Sequence, residues 1–245
     1  MDYNIVFMTL MGLSFGSFLN VLIYRIPKKQ SIVFPSSSCT NCNKKLKIYH
    51  NIPVLSYLFL RGKCGFCGVK ISPVYPFIEV LSAAIFVIVY LIEVSFLYTF
   101  IISGVFLLFL GLSVIDFRYK AVPDSLNLFA LSLAIVSSPY LLDSLSYALL
   151  FVGGFSLLRF YVSYFKGCEA MGEADIIIAG SIGALLGIEL GLAVIVLSAF
   201  IALPIFILMR VKDYELPYVP FLAFATFIVY IFQSWFQNLI IYLYY

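Results

Sequence analysis

Apolar runs close to the length of a membrane-spanning helix recur along the whole chain, and almost nothing charged interrupts them. A helix of ~20 residues crosses the hydrocarbon core of a bilayer, where only helices and closed barrels satisfy every backbone polar group. The 245 residues are 63% hydrophobic and 11% charged, against roughly 25% charged in soluble domains. Runs that are apolar on all sides carry no usable periodicity, so length and breakers set their bounds. They predict an all-α polytopic membrane protein of about eight transmembrane helices, at 3–24, 75–93, 96–115, 125–142, 144–165, 174–188, 190–209 and 217–243. The joint at Gly187-Ile188-Glu189 is the tightest turn this requires. The first run, Ile5 to Ile23, lacks a basic stretch before it and reads as a retained span rather than a cleavable signal.

The sparse cations order these spans. If the N-terminus lies outside, the inside segments hold Arg25, Lys28, Lys29, Lys44, Lys45, Lys47, Arg61, Lys63, Lys70, Arg118, Lys120, Arg159, Lys166, Arg210 and Lys212, which are all fifteen Lys and Arg. The outside connections near Glu93, Asp143 and Glu189 hold none. By the positive-inside rule both termini are predicted outside and the long 25–74 segment in the cytoplasm. A formal charge of +3 is too small to suggest a nucleic-acid partner, and topology explains the basic residues better.

Segment 25–74 is the only soluble piece of any size. It carries four of the five cysteines, as Cys39-x2-Cys42 and Cys64-x2-Cys67 with 21 residues between the pairs. Such knuckles deliver four thiolates to a tetrahedral zinc ion, and a domain this small needs a staple. Disulfides are the competing reading, which a reducing cytoplasm disfavours. A closed four-thiolate site is structural rather than catalytic. His50, followed by Asn51-Ile52-Pro53, reads as a loop residue, and Cys168 as an unpaired thiol.

Two carboxylates stand where chemistry would sit. Asp116 closes the third span and Asp175 opens the sixth, both at the inside edge, so the topology puts them at one membrane depth. Facing carboxylates that share a proton make an aspartic dyad, in which one activates water and the other protonates the carbonyl oxygen. Glu173 lies about 200° around the helix from Asp175 and would face elsewhere. Asp124, after Pro123, reads as the N-cap of the fourth span. Interfacial capping or a proton or cation path remain open for Asp116 and Asp175. Gly180, Gly183 and Gly187 suit close helix packing, and the tyrosines among 241–245 an interface anchor.

In order along the chain, these residues resemble the type IV prepilin peptidases, a family of polytopic G-x-G-D aspartic proteases. The likeness rests on Gly16-Ser17-Phe18-Leu19-Asn20-Val21-Leu22-Ile23-Tyr24-Arg25-Ile26-Pro27, the two cysteine knuckles, Asn51-Ile52-Pro53, Leu60-Arg61-Gly62-Lys63-Cys64 and Tyr75-Pro76-x-x-Glu79. Ile115-Asp116, Val122-Pro123-Asp124 and Gly172-x-x-Asp175 complete it. The resemblance implies a first helix at 1–24, a methyltransferase-associated loop domain at 25–74 and a transmembrane aspartic peptidase domain at 75–245. It implies Asp116 and Asp175 as the catalytic pair of a peptidase in the bacterial inner membrane. The substrates would be prepilins or pseudopilins, cleaved after a glycine beneath a basic leader, with pilus or type II secretion assembly components as further partners. The new N-terminus would be methylated from S-adenosylmethionine, an activity the resemblance ties to the Gly62 and Lys63 region. Ala174 replaces a motif glycine, Ile177 a common lysine, and Tyr218-Val219-Pro220 a Phe-Gly-Pro turn, which puts that turn in doubt. The first knuckle reads Cys39-Thr40-Asn41-Cys42 rather than Cys-Pro-x-Cys, which leaves ligation intact. Three other functions compete: a peptidase without methylation, a proton-relay transporter and a zinc-bearing adaptor. A transporter predicts an internal repeat, which the sequence lacks.

Overall fold

The computed structural model describes residues 3–167, 171–209 and 217–244. The regular elements among them are helices: α1 (Tyr3–Arg25), a 3-10 turn (Ile48–Asn51), α2 (Leu55–Phe59), α3 (Val74–Ile92), α4 (Phe96–Tyr119), α5 (Asp124–Val136), α6 (Leu141–Lys166), α7 (Glu173–Met209), α8 (Val219–Ile231) and α9 (Gln233–Tyr244). Strand pairing among the described residues is limited to two isolated bridges, Ser38 with Lys45 and Lys63 with Lys70. The chain divides into two units, Met1–Thr99 and Phe100–Tyr245.

In the first unit α1 and α3 pack antiparallel at close range. A Cβ placed on Gly12 would meet the Ala83 backbone at 2.5 Å, and one on Gly16 would meet Ser82 Oγ at 2.7 Å. Gly12-x3-Gly16 is the small-residue spacing that lets membrane helices approach closely. Farther along α1, Asn20 Nδ2 donates to the Tyr75 carbonyl at 3.1 Å.

The second unit is a bundle. The middle of α4 is its most buried stretch, with Val105, Phe109, Leu112 and Ile115 nearly inaccessible. Phe106 of α4 meets Phe227 and Tyr230 of α8. α7 packs on α5, α6 and α8. Its approach to α6 is set by glycines, since a Cβ on Gly180, Gly183 or Gly191 would strike Val152 or Phe151 at 2.5–2.6 Å. Outward-facing residues such as Leu149, Leu157, Phe160 and Phe200 are exposed and apolar, as a lipid-covered surface requires.

Among the described residues, five helices are long and apolar enough to cross a membrane: α1, α3, α4, α6 and α7. At 37 residues α7 would be ~55 Å long, well beyond a bilayer core of ~30 Å. It breaks at Gly187, whose φ 76°, ψ −171° only glycine adopts freely, so the expected tight joint is present. Two other boundaries differ from expectation. α5 stops at Val136 instead of reaching 142, because Pro139 disfavours helical backbone in the residue before it. The last run is not one rod: α8 and α9 meet at Phe232 with a bend of 87° and pass as a span only together.

Candidate active site and metal centre

Asp116 lies in the last turn of α4 and is 7% exposed. The helix ends just beyond it, with Lys120 at φ 50° in the left-handed C-cap position and its N–H bonded to the Asp116 carbonyl at 2.8 Å. The Asp116 carboxylate accepts the Val219 backbone N–H on Oδ2 at 3.2 Å. Val219 opens α8, where N–H groups have no intrahelical partner and the dipole favours a negative charge. Tyr218 pins this helix start to α7 through its hydroxyl, 2.8 Å from Ser198 Oγ. Val219 is helical, so the segment that departs from Phe-Gly-Pro needs no glycine at this position.

Asp175 is the third residue of α7 and half-buried. Its carboxylate reaches back to the backbone N–H of Gly172, the half of a capping box made by an acid at N3. It also lies close enough to Asp116 for the two carboxylates to feel each other's charge. Space at Gly172 is tight, because a Cβ there would lie 3.3 Å from Asp175 Oδ2 and press on it. Ala174 is helical, where alanine is favourable, so the missing motif glycine carries no backbone penalty. Glu173 points away as expected: it is largely exposed and pairs with Arg159 of α6 at 3.1 Å.

Asn127 of α5 is a residue that sequence reasoning missed. It is fully buried and donates from Nδ2 to the Ala174 carbonyl at 3.0 Å, while its Oδ1 has no partner among the described residues. An amide side chain inside a largely apolar run was the signal that could have found it. Asp124 is the first helical residue of α5, with Pro123 in the capping place, so it does not sit at the expected N-cap.

The four loop cysteines form one cluster, with ligand atoms all within 4.8 Å of one another. Sγ of Cys39 and Cys67 are 3.9 Å apart, close to the edge of about 3.8 Å that ~2.3 Å metal–sulfur bonds give in a tetrahedron. The two knuckles repeat one geometry. Asn43 N–H donates to the Cys39 carbonyl and Gly68 N–H to the Cys64 carbonyl, each at 2.9 Å. Asn43 (φ 53°) and Gly68 (φ 72°) take the same left-handed turn, Asn being among the residues that tolerate it. The backbone N–H groups of Cys42 and Asn41 face the Cys39 sulfur and hold that thiol down at about 6. The donor set fits a divalent metal. His50 is not part of the cluster and stacks edge-on against Tyr49 and Phe66. Gly62 is left-handed at φ 67° and Lys63 bridges to Lys70, both beside Cys64. Cys168 lies outside the described residues.

Residues 10–93 match the Bacterial Peptidase A24 N-terminal domain and residues 101–207 the Type IV leader peptidase family. Among curated relatives, the prepilin leader peptidase/N-methyltransferase of Vibrio cholerae serotype O1 is 32% identical over 90% of this chain and 92% of its own. The protein of that name from Pseudomonas putida is 31% identical over 92% and 90%, and that from Dichelobacter nodosus 32% over 94% and 92%. No solved structure gives a match. Both halves of the chain are thus covered by family domains and the likeness runs nearly end to end: the chain belongs to the type IV leader peptidase family.

Proposed function

We propose that this protein is a membrane aspartic endopeptidase that removes the basic leader from type IV prepilins or pseudopilins and N-methylates the new N-terminus. The observation that supports the reading is the electrostatic coupling of Asp116 and Asp175, each on a different helix and each held by a backbone N–H. Two neighbouring carboxylates ionise one at a time, so the pair shares a proton. One carboxylate takes a proton from water as its oxygen bonds to the scissile carbonyl carbon, and the other gives its proton to the carbonyl oxygen. Collapse of the tetrahedral species breaks the C–N bond: the amine leaves with the proton held by the first carboxylate, and one hydroxyl returns its proton to the second as the carbonyl reforms. The Val219 and Gly172 N–H groups each hold one of the two carboxylates in place. Asp116 and Asp175 close and open their helices, where water can reach the edge of a membrane.

Cys39, Cys42, Cys64 and Cys67 are the residues that would hold zinc as a closed structural site. S-adenosylmethionine, when bound, supplies the methyl group to the new α-amine. The region from Arg61 to Cys64 is the proposed place for that step, supported by family resemblance and by its paired left-handed residues at Arg61 and Gly62. The distribution of Lys and Arg supports a cytoplasmic loop and outside termini in the inner membrane. Pilus or secretion assembly components are the proposed wider partners.

Mass spectrometry of a prepilin-type substrate incubated with the purified protein and S-adenosylmethionine tests this. Wild type should remove the leader and add one methyl group, and Asp116→Asn and Asp175→Asn should do neither. Cleavage by either variant at the wild-type rate would overturn the dyad.

A further inference from the structure

Glu79 is a buried carboxylate that the peptidase chemistry does not use. It sits on the second turn of α3, 8% exposed, against Gly16 and Ser17 of α1. In the sequence Glu79 stands only as the end of the Tyr75-Pro76-x-x-Glu79 motif; in the structure its carboxylate reaches out of the helix pair. Oε2 accepts the backbone N–H of Val54 at 2.7 Å.

Val54 is the unusual partner. Its φ 60°, ψ −50° is the rare form of the γ-turn, closed by the Leu55 N–H bonding to the Pro53 carbonyl. A β-branched residue at positive φ is an outlier and persists only where its surroundings over-determine it. In a γ-turn the central N–H is left over, and here Glu79 takes it. The turn launches α2, whose Tyr57 carbonyl accepts the Gly62 N–H at 2.9 Å. The Tyr57 hydroxyl lies over Gly62, 2.9 Å from where a Cβ would lie. Arg61 (φ 51°) and Gly62 then make two successive left-handed residues that lead into Lys63 and Cys64. One continuous set of contacts therefore runs from a membrane-helix carboxylate to the proposed methyl-transfer region.

We propose that Glu79 is a positioning residue for methyl transfer, tethering the Val54 turn so that the Arg61–Cys64 segment is held in its working shape, and that it has no part in leader cleavage. This rests on the reading of the Gly62 and Lys63 region given above. The full-length protein in nanodiscs, a prepilin-type substrate and S-adenosylmethionine provide the test, with cleavage and methylation read separately by mass spectrometry. Amide exchange at residues 55–62 reports the tether itself.

In Glu79→Leu, exchange at 55–62 should rise by about tenfold or more, methylation should fall by about the same factor, and cleavage should stay within about twofold. Glu79→Gln keeps an acceptor at the same reach and should retain both activities. Glu79→Asp keeps the charge but retracts it by one methylene, so it should methylate more slowly than Gln; this variant serves where Leu fails to fold. Adding Val54→Gly to Glu79→Leu removes the penalty at positive φ and should restore methylation. Unchanged exchange in Glu79→Leu and Glu79→Asp overturns the proposal. So does a parallel fall of cleavage and methylation, which would make Glu79 a general support of the fold. If Lys63→Ala methylates normally, the assignment of the methyl-transfer region fails instead. The exchange data then decide the tether alone.

Discussion

The backbone N–H of Val219 donates to Oδ2 of Asp116 across 103 residues of sequence, so the carboxylate that closes α4 is held by the first turn of α8. That bond makes two substitutions at Asp116 behave differently. Asparagine keeps an acceptor for Val219 but cannot cycle a proton, whereas leucine leaves a buried N–H unsatisfied, at a cost of about 1–3 kcal/mol. Asp116→Asn should lose cleavage by at least about a thousandfold, as loss of an essential acid/base group does, with little change in thermal stability. Asp116→Leu should lose both. Equal melting temperatures for the two variants would mean that the Val219 contact carries no weight.

Gly172 and Ala174 flank Glu173 in the motif, and their roles separate. A Cβ on Gly172 would press on Asp175 Oδ2 from 3.3 Å, so the carboxylate or the helix start must shift. Displacements of this kind cost up to about a hundredfold in rate. Gly172→Ala should therefore cut cleavage ten- to a hundredfold, within about that range, while the fold melts as before. Ala174→Gly restores the usual motif residue but adds backbone freedom, so it should lose up to about 1 kcal/mol of stability without gaining activity. Paired kinetics and melting curves check both.

Asn127 poses a question of balance. The helical pattern already gives the Ala174 carbonyl a partner in the Ile178 N–H, so the bond from Asn127 is not needed to satisfy it. Meanwhile Oδ1, without a partner among the described residues, costs about 1–3 kcal/mol, roughly offsetting the bond of about 1 kcal/mol that Nδ2 makes. Asn127→Leu should then be close to neutral in stability. It should still slow cleavage by about tenfold, because the first turn of α7, which carries Asp175, loses its tether to α5. A large drop in melting temperature with unchanged kcat would assign Asn127 to the fold rather than to the placement of Asp175.

The parts legible in the sequence were those where one residue contradicts its surroundings. Asp116 and Asp175 stand at the ends of apolar runs, and paired Cys-x2-Cys knuckles stand in a segment too short for a core of its own. Gly187 stands where a run is too long for one crossing. In each case the physical penalty is local, so the sequence displays it. The Val219 donor was not legible because a backbone N–H carries no side-chain signal and its partner is 103 residues away. The corner at Phe232 has neither glycine nor proline to mark it. The end of α5 was less legible, because the apolar run continues past Val136 to Leu142 while the break that Pro139 imposes falls inside it. Gly12-x3-Gly16, which sets the α1–α3 approach, was legible by spacing and went unread among so many apolar residues.

The cysteine cluster makes a prediction that depends on pH. With the metal removed, the N–H groups of Cys42 and Asn41 hold the Cys39 thiol at about 6, so it is mostly thiolate at neutral pH. At Cys42 the Lys44 N–H favours the thiolate, but partial burial and the neighbouring cysteines outweigh it and push that thiol up to about 11. Iodoacetamide should therefore alkylate Cys39 well before Cys42 at pH 7, and the Cys39 rate should fall about tenfold per unit once the pH drops below about 6, since only the thiolate reacts. The sign for stability follows. A pKa lowered on folding contributes stability above the unfolded value, near 8.5, and that contribution is lost as the pH falls through 6. Metal-loaded protein should protect all four cysteines, because protons and alkylating agent must compete with the ion for the same sulfurs. Mass spectrometry of the adducts reads each position separately. Equal labelling of Cys39 and Cys42 at pH 7 in metal-free protein would sink the knuckle geometry as the cause, and labelling indifferent to added zinc would sink the metal centre.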